Sequence, residues 1–301
     1  MKLALFQAQT GINPAVNARD LVGAIEAAAA GGAAMLFTPE MSGLLDRDRT
    51  RAMRHLHFEG DDPVLAAVRA AAAKANLWVH IGSLALLDAD GDKLVNRGFV
   101  IDDTGEIRAR YDKIHLFDVD LPTGESWRES AAYRGGTQTS VVETPLGHLG
   151  LSICYDLRFA DLYATLTNHG ATLLSIPAAF TVPTGEAHWH VLMRARAIEA
   201  GVFVIAAAQI GRHEDGRVTY GHSLVVDPGA RCCSTWARTD RASASSRSTW
   251  RRSMRCAPAF PLSSIVARSR GRSASRHDRI RSEVRRPRPC LRGLVRLLRR
   301  L

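Results

Sequence analysis

Short apolar segments alternate with longer amphipathic ones through about Asp227, and this alternation predicts the order of strands and helices. Nine apolar runs have the length of strands: 3–7, 34–38, 77–83, 97–101, 107–113, 149–153, 172–176, 202–208 and 222–226. Four longer stretches show the spacing of amphipathic helices: 15–30, 63–75, 159–168 and 186–200. Strands separated by helical stretches of about 10–15 residues indicate an α/β protein.

This pattern ends after Gly229, where arginine and serine dominate and only 291–301 keeps a trace of an apolar period. Residues 230–301 contain 20 arginines, no lysine and three acidic residues, so their net charge is +17. The first 229 residues contain 20 basic and 27 acidic residues, a net charge of −7, and the +10 of the whole chain therefore comes from the tail. We predict a folded domain over 1–228 and a disordered Arg/Ser-rich tail over 229–301.

Two interpretations of the tail are open, a nucleic-acid-binding arm and a frameshift product. Dense arginine is typical of arms that contact phosphate groups. The tail can be back-translated with codons that end in G or C, and the bases can then be read in a frame that starts one base earlier. In that frame, residues 231–239 become Glu-Val-Leu-Leu-Asp-Leu-Gly-Thr-Asp. This alternation is typical of a hairpin and a terminal strand, which favours a frameshift near codon 229. Resequencing the source DNA across codons 220–260 tests the hypothesis, because an intact reading frame would refute it.

The amino-terminal segment and the cysteines indicate a cytoplasmic protein. Residues 1–7 become polar too early for a signal peptide, and charge and glycine interrupt the alanine-rich run 24–34, so no membrane segment is expected. Cys154 is alone in the predicted domain, since the other four cysteines lie in the tail. A single cysteine in an intracellular chain is a candidate nucleophile rather than half of a disulfide.

Cys154 ends the apolar run 149–153 and precedes a predicted helix. A turn from strand to helix exposes a nucleophile and presents backbone N–H groups that stabilise a thiolate or an oxyanion. A buried cysteine of the core is the alternative at this stage.

Two other charged residues follow predicted strands. Glu40 comes after an apolar run, and a carboxylate at the carboxyl end of a strand is placed to act as a general base. Lys113 ends the run 107–113. Taken singly, each has a simpler interpretation, a capping or surface glutamate and a solvated lysine.

Three segments considered together resemble the nitrilase superfamily of carbon–nitrogen hydrolases. They are Pro-Glu at 39–40, Tyr-Asp-Lys-Ile-His-Leu-Phe-Asp at 111–118 and Ile-Cys-Tyr-Asp-Leu-Arg-Phe at 153–159. Their order and spacing match the Glu-Lys-Cys triad of that superfamily, here Glu40, Lys113 and Cys154. The stretch 117–136 is similar to the loop that carries a second, supporting glutamate, and Glu129 occupies the matching position. The resemblance covers residues 1 to about 228.

Further segments are similar to the amidase branch that hydrolyses deaminated glutathione: 187–189, 194–199, 206–209, 211–213 and 220–223. Omega-amidases acting on alpha-ketoglutaramate share much of this pattern. True nitrilases usually have Trp-Glu after the cysteine, whereas this chain has Tyr155 and Asp156, which favours an amide over a nitrile. The alternatives are an N-carbamoyl amino acid amidohydrolase, an inactive scaffold of the same fold, and a nucleic-acid-binding protein acting through a genuine basic tail.

The resemblance implies a four-layer α-β-β-α sandwich, commonly a homodimer, that acts on a small amide without a cofactor. In this scheme Glu40 takes the thiol proton, and Cys154 forms a thioester with release of ammonia. Lys113 and the backbone N–H of Tyr155 would stabilise the oxyanion, and Glu129 would hold Lys113 and the substrate amide. A lysine between two carboxylates should stay charged. The tail replaces the superfamily's terminal strand, which predicts an exposed sheet edge.

Substrate binding is predicted at Arg158, which is placed either to bind a substrate carboxylate or to pair with Asp161 or Glu199. Tyr155 is the second predicted substrate-binding residue. Three histidines lack an acidic or cysteine partner at ligand spacing, so we expect structural roles and no metal site for His188, His190 and His213.

Overall fold

The computed structural model describes residues 1–120, 124 and 126–235, except the side chains of 233–235. The α-helices of this range are α1 (Pro14–Ala30), α2 (Arg49–Ala52), α3 (Pro63–Ala75), α4 (Ala160–Asn168) and α5 (Val182–Ala200). Side chains cap the first turns of α1 and α3, where Asn13 accepts a hydrogen bond from Ala15 N–H and Asp62 accepts one from Leu65 N–H. No helix within this range is long and apolar enough to cross a membrane.

The first sheet contains the strands from the amino-terminal half of the domain. They are β1 (Leu3–Leu5), β2 (Met35–Phe37), β3 (Trp78–Leu87), β4 (Leu94–Ile101) and β5 (Ile107–Asp112). The spatial order follows the chain, with β1, β2 and β3 parallel and β3, β4 and β5 antiparallel. Helices α1 and α3 connect the parallel strands, as parallel pairing requires.

The second sheet and two short hairpins complete the fold. The hairpin strands are β6 (Asp118–Asp120) with β7 (Ser126–Arg128), and β12 (Ile210–Arg212) with β13 (Val218–Tyr220). The sheet strands are β8 (Val141–Thr144), β9 (Gly147–Leu151), β10 (Leu173–Ser175), β11 (Phe203–Ala206), β14 (Leu224–Val226) and β15 (Cys232–Thr235). Their spatial order is β15-β14-β11-β10-β9-β8, with β9, β10 and β11 parallel.

Two apolar cores join the sheets and helices into four layers. One core lies between the sheets and continues to α4 and α5; it includes Phe37, Val100, Leu151, Leu174 and Trp189. The other packs α1 and α3 on the outer face of the first sheet; it includes Leu21, Ile25, Val68, Leu36 and Val79. The predicted α-β-β-α sandwich is confirmed.

The nine predicted strands and four predicted helices are all present, with ends shifted by a few residues. Helix α5 begins four residues before its predicted start, with a proline in its first turn. The pattern missed α2, β6, β7, β8, β12, β13 and β15, which span only three or four residues each. Segments this short do not develop a hydrophobic period that a sequence pattern can detect.

One strand lies within the segment predicted to be an unstructured tail. Strand β15 pairs antiparallel to β14 and becomes the edge of the second sheet. The turn before it is held by Asp227, whose carboxylate lies 2.8 Å from Arg231 Nε. The prediction that regular structure ends at Gly229 is therefore wrong for this strand. The disorder predicted for residues 236–301 lies outside the described residues.

Candidate active site

Glu40 lies just beyond the carboxyl end of β2, with only 4% of its surface exposed. Strand β3 lies very close to the segment that follows β2. A Cβ atom on Gly82 of β3 would lie only 2.2 Å from the carbonyl oxygen of Thr38. Only glycine tolerates such an approach. The tight packing holds the Glu40 carboxylate beneath the surface, where its position depends on its hydrogen bonds.

Hydrogen bonds from several segments hold the two carboxylates of the site. Glu40 Oε1 accepts hydrogen bonds from Lys113 Nζ at 3.0 Å and from Asn96 Nδ2 at 2.9 Å. Its Oε2 accepts the backbone N–H of Ala179 at 3.0 Å. Lys113 Nζ also donates to Glu129 Oε2 at 2.9 Å. Glu40, Lys113 and Glu129 therefore form one array, which we call the buried array although 12% of the Glu129 side chain is exposed.

Lys113 follows β5 and is 2% exposed. Burial alone would lower the pKa of its ammonium group, but the carboxylates of Glu129 and Glu40 outweigh burial and raise the pKa well above its usual value. The lysine is thus charged at every pH near neutrality. It supplies a fixed positive charge beside Cys154.

Cys154 begins a 3-10 helix, Cys154–Arg158, directly after β9 and a two-residue connection. Its φ of 51° lies in the left-handed region, which is rare for a residue with a side chain and typical of strained turns that carry a nucleophile. Its N–H donates to Pro177 O at 2.8 Å, which anchors the turn. The cysteine is buried at the floor of a cavity and is not merely a core residue.

The Cys154 thiol is protonated at rest. Burial raises its pKa well above the usual value and Glu40 raises it further, while Lys113 and the N–H of Ala179 oppose the shift. A neutral thiol is a weak nucleophile, so attack requires a base in contact with it. Glu40 is placed to be that base.

Asp156 holds the nucleophile turn in place and was not predicted from the sequence. The carboxylate is fully buried. Its Oδ2 accepts hydrogen bonds from Ile153 N–H at 2.8 Å and from Tyr111 OH at 2.7 Å. Its Oδ1 accepts the His115 N–H at 3.0 Å and lies 2.7 Å from His115 Nδ1. Asp156 thus ties the turn that carries Cys154 to the segment on either side of Lys113.

Replacing Asp156 with alanine is expected to lower the free energy of unfolding by about 3 kcal/mol, because several buried donors lose a charged acceptor. Denaturant unfolding measures this loss. Asp161→Asn is the matched control, since Asp161 is exposed on α4, and it should change stability by less than about 0.5 kcal/mol. Equal stability of the two variants would show that Asp156 does not hold the turn.

A cavity of about 660 Å³ opens above the array, and Glu40, Lys113, Glu129 and Cys154 all line it. Its wall is partly apolar, with contributions from Leu44, Leu56, Ala85, Leu94, Phe117 and Trp127. Arginines also line the cavity, and two of them pair with carboxylates, Arg128 with Asp120 and Arg217 with Asp215. The cavity size is that of a small-molecule site.

Tyr155 and Arg158, the predicted substrate-binding residues, both line this cavity. Within the described part of the chain, the backbone N–H of Tyr155 has no hydrogen-bond acceptor. Arg158 forms no ion pair there with a carboxylate, and its Nη2 lies 2.9 Å from His188 Nδ1. The alternative pairing with Asp161 or Glu199 is therefore not observed, and Glu199 pairs with Arg196 instead.

Each of the three histidines considered as metal ligands contacts a different set of residues. His213 is buried, with its two ring nitrogens bonded to Thr10 O and Thr219 Oγ1. His188 contacts Arg158, and His190 packs edge-on against the ring of His222. Among residues 1–120, 124 and 126–235, no group of three or more His, Cys, Asp or Glu side chains is arranged to hold a metal ion.

Comparison with known proteins gives the family of the chain. Residues 2–239 match the carbon–nitrogen hydrolase family model. A deaminated glutathione amidase of Yersinia enterocolitica is 42% identical over 198 residues, which are 65% of this chain and 69% of that protein. A deaminated glutathione amidase of Dictyostelium discoideum is 47% identical over 160 residues, 52% of this chain and 55% of that protein. The chain thus spans about half to two thirds of the length of these relatives.

Solved structures agree with these matches. The NitFhit protein of C. elegans superposes with a TM-score of 0.72 at 37% identity, over 79% of this chain and 58% of that chain. The chain belongs to the carbon–nitrogen hydrolase family. It is an amide-hydrolysing enzyme of that family, in agreement with the predicted enzyme class.

Proposed function

We propose that this enzyme hydrolyses an anionic amide through a thioester on Cys154. The observation that carries the proposal is the single cavity surface shared by the nucleophile, the Glu40 carboxylate, the charged Lys113 and Arg158. In this arrangement, nucleophilic attack, charge stabilisation and recognition of a carboxylate can all act on one substrate.

In the first half-reaction, the Cys154 proton passes to Glu40 as the sulfur attacks the amide carbonyl carbon. The oxyanion that forms is stabilised by Lys113 Nζ and by the Tyr155 N–H. One such donor contributes about 3–4 kcal/mol to lowering the barrier. Glu40 then returns the proton to the leaving nitrogen, the carbon–nitrogen bond breaks, and the acyl group remains on sulfur as a thioester.

In the second half-reaction, water replaces the released amine. Glu40 takes a proton from this water, whose oxygen attacks the thioester carbon. The same two donors stabilise the second oxyanion, and the carbon–sulfur bond breaks with return of the proton to Cys154. Glu129, bonded to Lys113 at 2.9 Å, keeps the ammonium group in register in both steps.

The substrate we propose is deaminated glutathione or an alpha-keto acid omega-amide, the former being the substrate in the names of two relatives. Ammonia is the leaving group only for a primary amide. Deaminated glutathione joins its acyl group to cysteinylglycine, so hydrolysis releases that dipeptide. A cavity of about 660 Å³ has room for both the acyl group and a dipeptide.

Arg158 is the residue we propose for binding the substrate carboxylate. Arg158 lines the cavity beside the Tyr155 ring, with its Cζ atom 5.8 Å from the ring centroid. No described carboxylate pairs with its guanidinium. A guanidinium binds a carboxylate through two parallel hydrogen bonds. The sites of Arg128 and Arg217 are less suited, because Asp120 and Asp215 already occupy those side chains.

Steady-state kinetics on a panel of amides tests this function. Arg158→Gln should raise KM for deaminated glutathione and alpha-ketoglutaramate by about 10- to 100-fold, because a charge-assisted hydrogen bond is lost, and should leave a neutral amide unaffected. Arg19→Gln, on the exposed face of α1, is the matched control. Release of carbon dioxide and ammonia from N-carbamoyl amino acids in preference to amide hydrolysis would overturn the proposal.

We also propose that the enzyme is a homo-oligomer and acts in the cytoplasm. Two large apolar side chains, Val191 and Ile198, are exposed seven residues apart on α5, which suits a contact with a second copy. A catalytic thiol must stay reduced, and the cytoplasm keeps it so. Light scattering during gel filtration and cell fractionation test these two points.

A further inference from the structure

Asn96 is a lone amide in the apolar strand β4, and 1% of its surface is exposed. Its Nδ2 donates to Glu40 Oε1 at 2.9 Å and to Glu129 Oε1 at 3.3 Å. Its backbone oxygen accepts the Lys113 N–H at 2.9 Å. One residue thus contacts all three charged members of the buried array.

The amide oxygen, Oδ1, indicates that Asn96 does not serve to stabilise the fold. Asn96 Oδ1 is buried and finds no hydrogen-bond partner within the described residues. A buried carbonyl without a partner destabilises a fold, and an apolar side chain of similar shape would avoid that cost. Turning the amide over would place Oδ1 against two carboxylates. The orientation is therefore set by the need for a donor at Glu40 and Glu129.

The hydrogen bonds distinguish the two oxygens of Glu40. Each carboxylate oxygen accepts about two hydrogen bonds. Oε1 has both, from Lys113 and Asn96, whereas Oε2 has one, from Ala179. Only Oε2 retains a free acceptor position for the proton of Cys154.

We propose that Asn96 is a positioning residue that saturates Oε1, so that Glu40 is held in one orientation and acts as a base through Oε2. The inference rests on the proposed role of Glu40 as general base. Asn96 touches neither the substrate nor the sulfur in this scheme. It acts through the carboxylate that does.

Loss of the Asn96 donor leaves the Glu40 carboxylate free to turn, and misplacement of a reacting group slows the chemistry. The other ionisable groups facing Glu40 come from three segments of the chain: Lys113, Cys154, and Glu129 with Tyr133.

The test compares Asn96→Leu with Asn17→Leu in the full chain. Asn17 is an equally buried asparagine whose Nδ2 bonds only to the backbone oxygens of Gly11 and Gly43. Two readouts are followed at neutral pH: kcat/KM for an amide that the parent hydrolyses, and the rate of Cys154 alkylation by iodoacetamide, read from the mass of the Cys154 peptide. The second readout needs no substrate, so it separates failure of this inference from failure of the proposed function.

For Asn96→Leu we expect kcat/KM to fall by about 10- to 100-fold, because the base is misplaced. The alkylation rate of Cys154 should fall as well, since the thiol loses its positioned base. Asn17→Leu should lose thermal stability while keeping both of the parent's rates. If Asn96→Leu does not fold, Asn96→Asp keeps the shape but removes the amide donor, and it should lower both rates in the same way.

A purely structural role gives a different result. Partial unfolding exposes the buried Cys154, so alkylation would become faster while hydrolysis becomes slower. Alkylation in Asn96→Leu that is as fast as in the parent or faster, or a kcat/KM equal to the parent's after correction for the folded fraction, would overturn the inference.

Discussion

Replacing Cys154 with alanine is expected to abolish amide hydrolysis, with a fall in kcat/KM of about 10⁴-fold or more. The reason is that Cys154 is the one cysteine among the described residues that line the cavity with Glu40 and Lys113. Alanine keeps the Cβ atom and the strained turn, so folding should be preserved. Amine release assayed at high enzyme concentration, together with the thermal unfolding curve, measures both effects.

The matched control is Cys232→Ala, because Cys232 is a free, exposed cysteine on β15. It should keep the parent's activity. Full activity in Cys154→Ala would contradict the assignment of the nucleophile. Absence of activity in the parent itself would instead support the inactive-scaffold alternative.

Replacing Lys113 with methionine is expected to remove both activity and stability. The buried lysine is the shared partner of two carboxylates, at 3.0 Å from Glu40 Oε1 and 2.9 Å from Glu129 Oε2. Breaking a buried pair by removing one partner typically destabilises a protein by about 3–5 kcal/mol. The oxyanion also loses a donor, so kcat/KM should fall by about 100- to 1,000-fold beyond any loss of folded protein. Denaturant unfolding and kinetics give the two numbers.

The pH dependence of this variant has a defined sign. In the parent, the folded-state pKa of Lys113 is raised, so its stabilising charge is fully present below the unfolded-state value of about 10.4 and is lost only as the pH rises through the higher folded-state value. Near neutrality the parent's stability therefore does not depend on this group. Lys113→Met lacks this group, so its stability gap to the parent should stay constant near neutrality and should narrow only as the pH rises above about 10.4.

Lys74→Met is the control for this experiment, since Lys74 is exposed and lies 3.8 Å from an equally exposed Glu26. Its stability should stay within about 0.5 kcal/mol of the parent at every pH. A Lys113→Met variant as stable as Lys74→Met would mean that Lys113 does not stabilise the fold through its two carboxylate partners.

The sequence predicted the candidate reacting groups because they lie in three segments whose order and spacing resemble those of a known superfamily. Glu40, Lys113 and Cys154 each follow a strand, and their side chains line one cavity. The alternation of strands and helices indicated only the α/β class and did not by itself place these residues together. Glu129 came from the same motifs rather than from periodicity.

The supporting groups were not predicted, since their roles depend on contacts between distant segments. Asp156 bonds to Tyr111 and His115, more than 40 residues earlier in the chain. Asn96 is a polar residue within an apolar strand, which was the one signal available for it. Its two carboxylate partners come from opposite sides of the array. Hydrogen-bond networks of this kind have no local period, so a sequence pattern does not indicate them.

Strand β15 shows a different reason for a missed element. Its residues follow Gly229, where arginine content and the loss of period indicated disorder. Backbone pairing with β14 does not require an apolar side chain at each position on an edge strand. The edge of the second sheet thus forms from a segment whose composition did not predict a strand.

The central claim, a thioester on Cys154, is tested most directly by mass spectrometry of the enzyme quenched in acid during turnover of an amide that it hydrolyses. The account predicts that the peptide containing Cys154 gains the mass of the acyl group minus one hydrogen. This mass should be absent from Cys154→Ala and from parent enzyme alkylated beforehand with iodoacetamide. Single-turnover samples without the acyl mass, combined with unchanged hydrolysis by Cys154→Ala, would contradict it.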